Sequence, residues 1–379
     1  MAGRTIDVVA AGPPSADLYA PAAPAWALAA GLAERGHSVQ VTFPGPKEGL
    51  SVPRGISVTP FPAVNPHLGS YLGDAEFGRM AGRLIRPTAD VVVRDPSGLG
   101  PLGHRARRAP IAAFVRPIAG EAGNAAATGS RVRRLSSRVL AWRERRQVRR
   151  LEKEALAEAT VIYCGTAAQV ERLRSDYGLA AERFRVSAPV LALTHEVPER
   201  EKARRLVGVP DDVPLAIVLP PLDPSPAAVV APALEAFQRI RPIFPGVRLA
   251  VLGVPRAVGP GVVSLPSRDA ATVLAAVAAA DVAIAFPAAP AVDPGLVAAL
   301  RAGVPSVVDS AADLGEGSEN AVRRVAIADS GELASVLAEL LADRDEQRTL
   351  AEGARAFSSR FAPERLAEEL EAVVMHGTG

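Results

Sequence analysis

The stretch VLAAVAAADVAIAFPAAPAVDPGLVAALRAGVPSVVD, residues 273–309, decides the fold. Its first part completes an apolar helix predicted over Ala270–Ala280. Val282 to Phe286 is a short apolar run, bounded by Asp281 and Pro287, and predicts a buried strand. Asp293-Pro294-Gly295 then reads as the start of a second helix, with Asp293 as N-cap and Pro294 at the first helical position. That helix is predicted over Gly295–Ala302, and Ser306–Asp309 follows as another strand. Asp281 within the apolar run, and Pro287 and Pro290 near its end, argue for helix and strand rather than a membrane span.

The same alternation extends outward in both directions. Toward the start, Ile6–Ala11 predicts a strand, Gly12-Pro13-Pro14-Ser15 a turn, Pro24–Arg35 a helix stopped by Gly36, and Ser38–Phe43 a strand. That is a βαβ unit, which implies a parallel sheet. Ile56–Phe61, Val91–Arg94, Ile111–Val115 and Val161–Cys164 are further β-rich runs. Arg131–Ala159 and Ala167–Tyr177 predict helices. Pro198–Val213 is charged and mixed, and reads as a hinge. The pattern then restarts, with strands at Leu215–Leu219, Arg248–Gly253 and Val262–Leu265 and a helix at Ala228–Arg239. Helices at Ala334–Ala342, Asp345–Ser358 and Pro363–Val374 close the chain. The expected fold class is α/β: two Rossmann-like, doubly wound parallel-sheet domains facing a central cleft, with ligands at the carboxyl ends of the strands. The expected boundaries are 1–195 for the first domain, 196–360 for the second, and 361–379 for a helix returning to the first.

Composition narrows the function classes. With 49% hydrophobic and 22% charged residues over 379 positions, wholesale disorder is excluded and two domains fit. The one cysteine, Cys164, leaves no disulfide framework or cysteine-based zinc site, suits a reducing compartment, and reads as an inert core thiol. MAGRTIDVVAAG shows no hydrophobic stretch followed by a cleavage site. The expected location is therefore cytoplasmic, with peripheral attachment at the inner membrane face open. Through Val190 there are 26 basic and 16 acidic residues, a net of +10; the remainder, with 17 and 25, nets −8. Nine arginines fall between Arg131 and Arg150, with Glu144 the lone acid among them. Val132, Leu135, Val139 and Trp142 make an apolar stripe there. A solvated helix face and a contact with an anionic membrane or other polyanion both stay open. Arg133, Arg134, Arg138, Trp142, Arg145, Arg146 and Arg149 are the anionic-surface candidates. Nucleic acid is not expected, because no aromatic interleaving or known motif accompanies the charge. His37 reads as a turn residue before a strand. No His, Asp or Glu pair has metal-ligand spacing on a helix, so no metal site is expected.

Several segments, in order, resemble GT-B glycosyltransferases of the retaining family-4 group. ALAAGLAERGHSVQVTF (27–43) resembles that family's first helix and second strand. LEKEALAEATVIYCGTAAQVERL (151–173) resembles its hinge-side helix, junction and strand. VLAAVAAADVAIAF (273–286) and GLVAALRAGVPSVV (295–308) resemble the elements around its donor loop, and residues 330–370 its ending, including the last helix that crosses back. The resemblance spans nearly the whole chain. It implies sugar transfer from a nucleotide-sugar co-substrate, without other cofactor, to a glycoconjugate, lipid or small-molecule acceptor. The donor-binding candidates it implies are Gly12, Ser15, Asp293, Gly295, Leu296, Val297, Asp309 and Ser310. The acceptor or phosphate candidates are Arg94, Asp95 and Arg116. The leaving diphosphate would be held by the helix start at Gly295-Leu296-Val297, with Arg94 or Arg116.

The chemistry-bearing positions depart from the family pattern. Its two glutamates would fall on Pro290 and Ala298, or in a second register on Val292 and Leu300. The stretch LPPLDPSPAA (219–228), where the family carries an arginine and a lysine, holds no basic residue. Proline in the first loop removes N–H groups that would meet a phosphate. No Asp-x-Asp motif stands at a strand end, so metal-independent chemistry is expected. The competing expectation is a catalytically degenerate homologue acting as partner subunit, scaffold or binder; a sugar epimerase of similar fold fits the ending less well.

Overall fold

Short strands, the central ones buried on both sides, build two separate sheets in the computed structural model. The structure describes residues 3–15, 17–20, 22–46, 50–61, 78–94, 102, 109–115, 149–187, 196–219, 226–254, 259–286 and 293–376. The chain forms two compact units. One comprises Met1–Pro14, Pro21–Val190 and Pro363–Gly379; the other comprises Ser15–Ala20 and Leu191–Ala362.

The first unit's sheet has strands β1 (Thr5–Val9), β2 (Ser38–Pro44), β3 (Ile56–Phe61), β4 (Val91–Arg94), β5 (Ile111–Val115), β6 (Val161–Cys164) and β7 (Phe184–Val186). Their order is β3-β2-β1-β4-β5-β6-β7, with every pairing parallel. Among its helices are α1 (Ala23–Glu34) and α2 (Ala167–Tyr177), and residues 78–84 and 149–158 are also helical. Thr166 caps α2 by accepting from the Gln169 amide, and Gly178 ends it in the left-handed conformation. Asp7 lies buried within β1. It accepts from the Arg86 amide at 2.6 Å and pairs with the Arg86 guanidinium. The sequence reading had no signal for β7 or for helix 78–84.

The second unit's sheet has β8 (Leu215–Leu219), β9 (Arg248–Leu252), β10 (Val262–Leu265), β11 (Val282–Ala285), β12 (Ser306–Asp309) and β13 (Arg323–Val325). The order β10-β9-β8-β11-β12-β13 is again parallel throughout, and β13 too carried no sequence signal. The order reverses between β1 and β4 in one sheet and between β8 and β11 in the other. Such switch points, at the carboxyl edge, are where open α/β sheets take ligands. The helices here are α3 (Arg200–Val207), α4 (Pro226–Ile240), α5 (Ala270–Ala279), α6 (Pro294–Ala302), α7 (Ser330–Ala342) and α8 (Arg344–Ser358). Asp269, Asp293, Asp329 and Asp343 each cap the helix that follows.

The expected hinge over Pro198–Val213 is corrected by α3, which packs against α5 as part of the second unit. The reason is Arg204, whose side chain is 1% exposed. Its guanidinium donates to Asp281 Oδ2 at 2.8 Å and to the carbonyls of Ala279, Pro210, Asp211 and Val213 at 2.6–3.0 Å. Read along the chain, Arg204 is one charge in a charged segment; folded, it is an anchor.

The last helix, α9 (Pro363–His376), belongs to the first unit and packs on α1. Gly31 makes this approach close: a Cβ there would stand 3.1 Å from Pro363 Cβ. Arg35 grips Glu371 with two bonds of 2.8 Å, and His37 Nε2 meets the same carboxylate at 2.7 Å. The Arg35 bonds hold the Glu371 carboxyl down at about 2. His37 is thus a turn residue, and also a tie between the β2 start and α9.

Replacing Arg204 with Met strands the buried Asp281 carboxylate with part of its compensation gone. We expect the second unit to lose about 3–5 kcal/mol, read as a lower denaturant midpoint for its unfolding transition. An unchanged midpoint would show that α3 is dispensable to the unit.

Candidate functional site

The carboxyl edge of the second sheet gathers the polar side chains that bear on a ligand. The helix start of α6 is built as the sequence predicts. Asp293 is the N-cap, and its Oδ1 accepts from the amides of Gly295 at 2.7 Å and Leu296 at 3.1 Å. The Val297 amide donates to the Asp293 carbonyl. The expectation that Gly295, Leu296 and Val297 offer their amides to a diphosphate is therefore corrected. All three are engaged by Asp293, and all three residues are buried.

The segment 15–20 lies across this edge. Asp17 forms an isolated antiparallel bridge with Asp269, and the Leu18 amide donates to the Arg268 carbonyl at 3.1 Å. This brings Tyr19, 5% exposed, over the start of α6. The Tyr19 hydroxyl lies 3.5 Å from Asp293 Oδ1 and leaves no room for a Cβ at Gly295. Arg268 stacks over the Tyr19 ring at 5.2 Å from its centroid and pairs with Asp17 at 2.9 Å. Arg268 follows β10 and Asp293 follows β11. The three side chains thus run along the carboxyl edge and place a half-exposed cation there.

Asp293 is 2% exposed, and its Oδ2 has no hydrogen-bond partner among the described residues. Burial pushes its carboxyl up to about 7, against the pull of the Leu296 and Gly295 amides, the Tyr19 hydroxyl and the Arg268 charge. Burial, with the Asp293 charge, also raises the Tyr19 phenol well above its usual range. At neutral pH the carboxyl stands near its midpoint, able to accept a hydrogen bond or to donate one.

The other sequence candidates are placed differently. The Gly12 carbonyl accepts from Trp26 Nε1 at 2.9 Å, so the first loop folds back on α1. Ser15 is exposed, and its Oγ accepts from the Asp17 amide, shaping the segment that carries Tyr19. Asp309 Oδ1 accepts from the Ala311 amide at 2.9 Å and Oδ2 from the Ile327 amide at 3.3 Å, which ties the end of β12 to the chain after β13. Ser310 is exposed beside it. Arg94, expected at an open edge, ends β4 and is 3% exposed. Cys164 is buried, and burial pushes its thiol up to about 12, which suits an inert core position. Asp95, Arg116, Arg133, Arg134, Arg138, Trp142, Arg145 and Arg146 lie outside the described residues. Arg149 is helical and exposed. Among the described residues there is no group of three or more His, Cys, Asp or Glu side chains suited to a metal ion. No helix among them is long and apolar enough to cross a membrane.

Tyr19 and Arg268 were missed by the sequence reading. They come together across some 250 positions, and neither stands in a motif.

Comparisons with known proteins agree with this architecture. Residues 21–189 match a family model described as Glycosyl transferase 4-like domain. No curated protein matches the chain in sequence. Sucrose-phosphate synthase from Thermosynechococcus elongatus superposes with a TM-score of 0.70 at 16% identity, covering 98% of each chain. Anabaena HepE, in complex with UDP and glucose, gives 0.64 at 15% identity over 99% of this chain and 100% of that one. The catalytic domain of starch synthase IV from Arabidopsis thaliana, bound to ADP and acarbose, gives 0.67 at 13% identity over 99% of each. At these identities the likeness is one of fold.

The Asp293 carboxyl yields a stability prediction with a definite sign. Its value in the folded protein is raised above the usual 3.8, so the folded state holds the proton more tightly than the unfolded one. The stability this proton provides is full below about pH 4 and is lost as pH rises through about 7. Asp293→Asn keeps the cap oxygen and removes the titration. We expect equal melting temperatures at pH 4 and a variant more stable at pH 8 by on the order of 3 kcal/mol. A difference that does not change with pH would show that the carboxyl titrates at its ordinary value.

Proposed function

We propose that this chain, whose residues 21–189 match a Glycosyl transferase 4-like domain and whose fold is GT-B, transfers a sugar from a nucleotide-sugar donor to a sugar, lipid or small-molecule acceptor. The observation that carries this is the family match in the first unit, joined to a second parallel sheet whose strand order reverses at a ligand-type edge. The donor belongs to the second unit and the acceptor to the first. In the transfer, the bond between the anomeric carbon and the diphosphate breaks. A bond to an acceptor oxygen forms, and the acceptor's proton leaves with the diphosphate.

The second unit differs from a helix-start phosphate site, because Asp293 fills the α6 N-terminus. Arg268 takes over the electrostatic part, since a guanidinium suits a diphosphate and this one stands half-exposed at the carboxyl edge. Asp293 positions the α6 start from beneath Tyr19. With Arg94 buried, Asp95 and Arg116 are the acceptor or phosphate groups of the first unit. Transfer needs no resident metal in this reading, which rests on the lack of an Asp-x-Asp motif at a strand end. The nine arginines of the run 131–150 suit an anionic membrane or other polyanion by their charge.

Thermal shift with UDP, GDP and ADP, followed by diphosphate release from the matching nucleotide sugars, tests the reading. We expect one nucleotide to stabilise the protein and its sugar donor to be consumed. Arg268→Ala should raise the donor KM about tenfold with a smaller change in kcat. If no nucleotide binds and no donor is consumed, the chain is a non-catalytic homologue. For the basic run, co-sedimentation with anionic vesicles at low salt is expected to exceed that with neutral vesicles and to fall at high salt; equal binding to both removes the membrane.

A further inference from the structure

At the opposite, amino edge of the second sheet lies an open pocket of about 400 Å³. We propose that it is a binding site for a small phosphorylated ligand with at least two negative charges, separate from the donor site. Among the described residues its lining includes four arginines, Arg200, Arg344, Arg348 and Arg355, against the one carboxylate of Asp281.

The carboxylate does not cancel the arginines. Asp281 Oδ2 accepts from Arg204 and from the Leu215 amide, both at 2.8 Å. Arg204 lies behind the pocket rather than in its lining, so it answers the Asp281 charge from below. Oδ1 takes Arg200 at 2.6 Å, with Arg344 farther off at 3.8 Å. Four lining guanidinium groups are then in surplus over an anion that is already compensated.

A purely structural account covers part of the cluster. Helix carboxyl ends attract cations, and Arg200 and Arg204 donate to the last carbonyls of α5, those of Ala280 and Ala279. The arginines of α8 are left over. Arg344, Arg348, Ala351 and Arg355 follow one another at helical spacing and share one face of α8. Three like charges on one face repel, and the small Ala351 between them leaves space rather than a counter-charge. Arg348 has a partner in Asp345 at 3.2 Å, but both are largely exposed and such a pair holds little energy. The Arg355 guanidinium has neither ion pair nor hydrogen bond among the described residues. It lies against Gly303, the α6 end, where φ is +71° and a Cβ would collide with it. The missing Cβ thus serves both the left-handed turn and the arginine's position.

The chemistry selects the ligand class. Guanidinium forks match phosphate oxygens in pairs. The volume suits a small molecule rather than a polymer. Ala278, Ala302, Val304 and Pro305 give the pocket an apolar floor beneath the charged rim, fit for the carbon part of a phosphate ester.

Calorimetric titration of the full chain with inorganic pyrophosphate tests this. We expect saturable binding to the wild type, and affinity weakened about tenfold or more in Arg348→Gln/Arg355→Gln. Ala351→Glu keeps every arginine, adds a carboxylate to the lining, and should weaken binding as strongly. Arg239→Gln, an exposed arginine of α4 outside the pocket lining, should leave pyrophosphate affinity unchanged. No binding by the wild type, or equal affinity in wild type and both pocket variants, overturns the proposal. Should a variant melt early, amide exchange of the wild type decides: pyrophosphate must slow exchange in residues 344–355, and unchanged exchange there overturns it.

Discussion

A parallel strand is covered on both faces, and the rest of each unit follows from that constraint. The residues of β4, β6, β8 and β11 are buried throughout, so these strands do not alternate a core face with a solvent face. The helices that cover them must approach closely, which explains the alanine and valine of α5 and the low aromatic content of 4%. Any charge caught inside must bring its own partner. Asp7 has Arg86 in the first sheet, and Asp281 has Arg204 and Arg200 in the second. In both sheets the pair lies away from the carboxyl edge. That edge stays available for chemistry, while the amino edge carries the fixed charge.

The carboxyl edge of the second sheet is shaped by a competition at one helix start. The amides opening α6 could serve an anion from solution or a carboxylate from the chain, and Asp293 takes them. Burial then works against its own ionisation, and Tyr19 closes over it. A diphosphate at this edge must be met by a side-chain cation, and Arg268 stands there with its stem against Tyr19.

The two ends of the second sheet thus offer different electrostatics. The carboxyl edge combines one cation, a phenol and a carboxyl near its midpoint, a set able to orient a polar ligand. The amino edge has an arginine face on α8 whose charge is only partly answered among the described residues, by Asp281 and the exposed Asp345.

The sequence by itself determined the class and order of the elements. Apolar runs such as Val282–Phe286 and Leu215–Leu219 lie within a residue of the observed strands, because burial on both faces demands apolar side chains locally. The Asp293-Pro294 helix start was equally legible, because capping is settled within three residues. Short edge strands such as β7 and β13 were not, because they expose charged residues that look like loop. The Pro198–Val213 segment misled for a related reason: its charges resemble a linker until Arg204 meets Asp281, 77 positions away. Only the tertiary structure decided that Tyr19 and Arg268 share an edge with Asp293, and that the α8 arginines line a pocket. Each depends on the distance between residues far apart in the chain, and hydrogen bonds and ion pairs act over a few ångströms of space, whatever the separation in sequence.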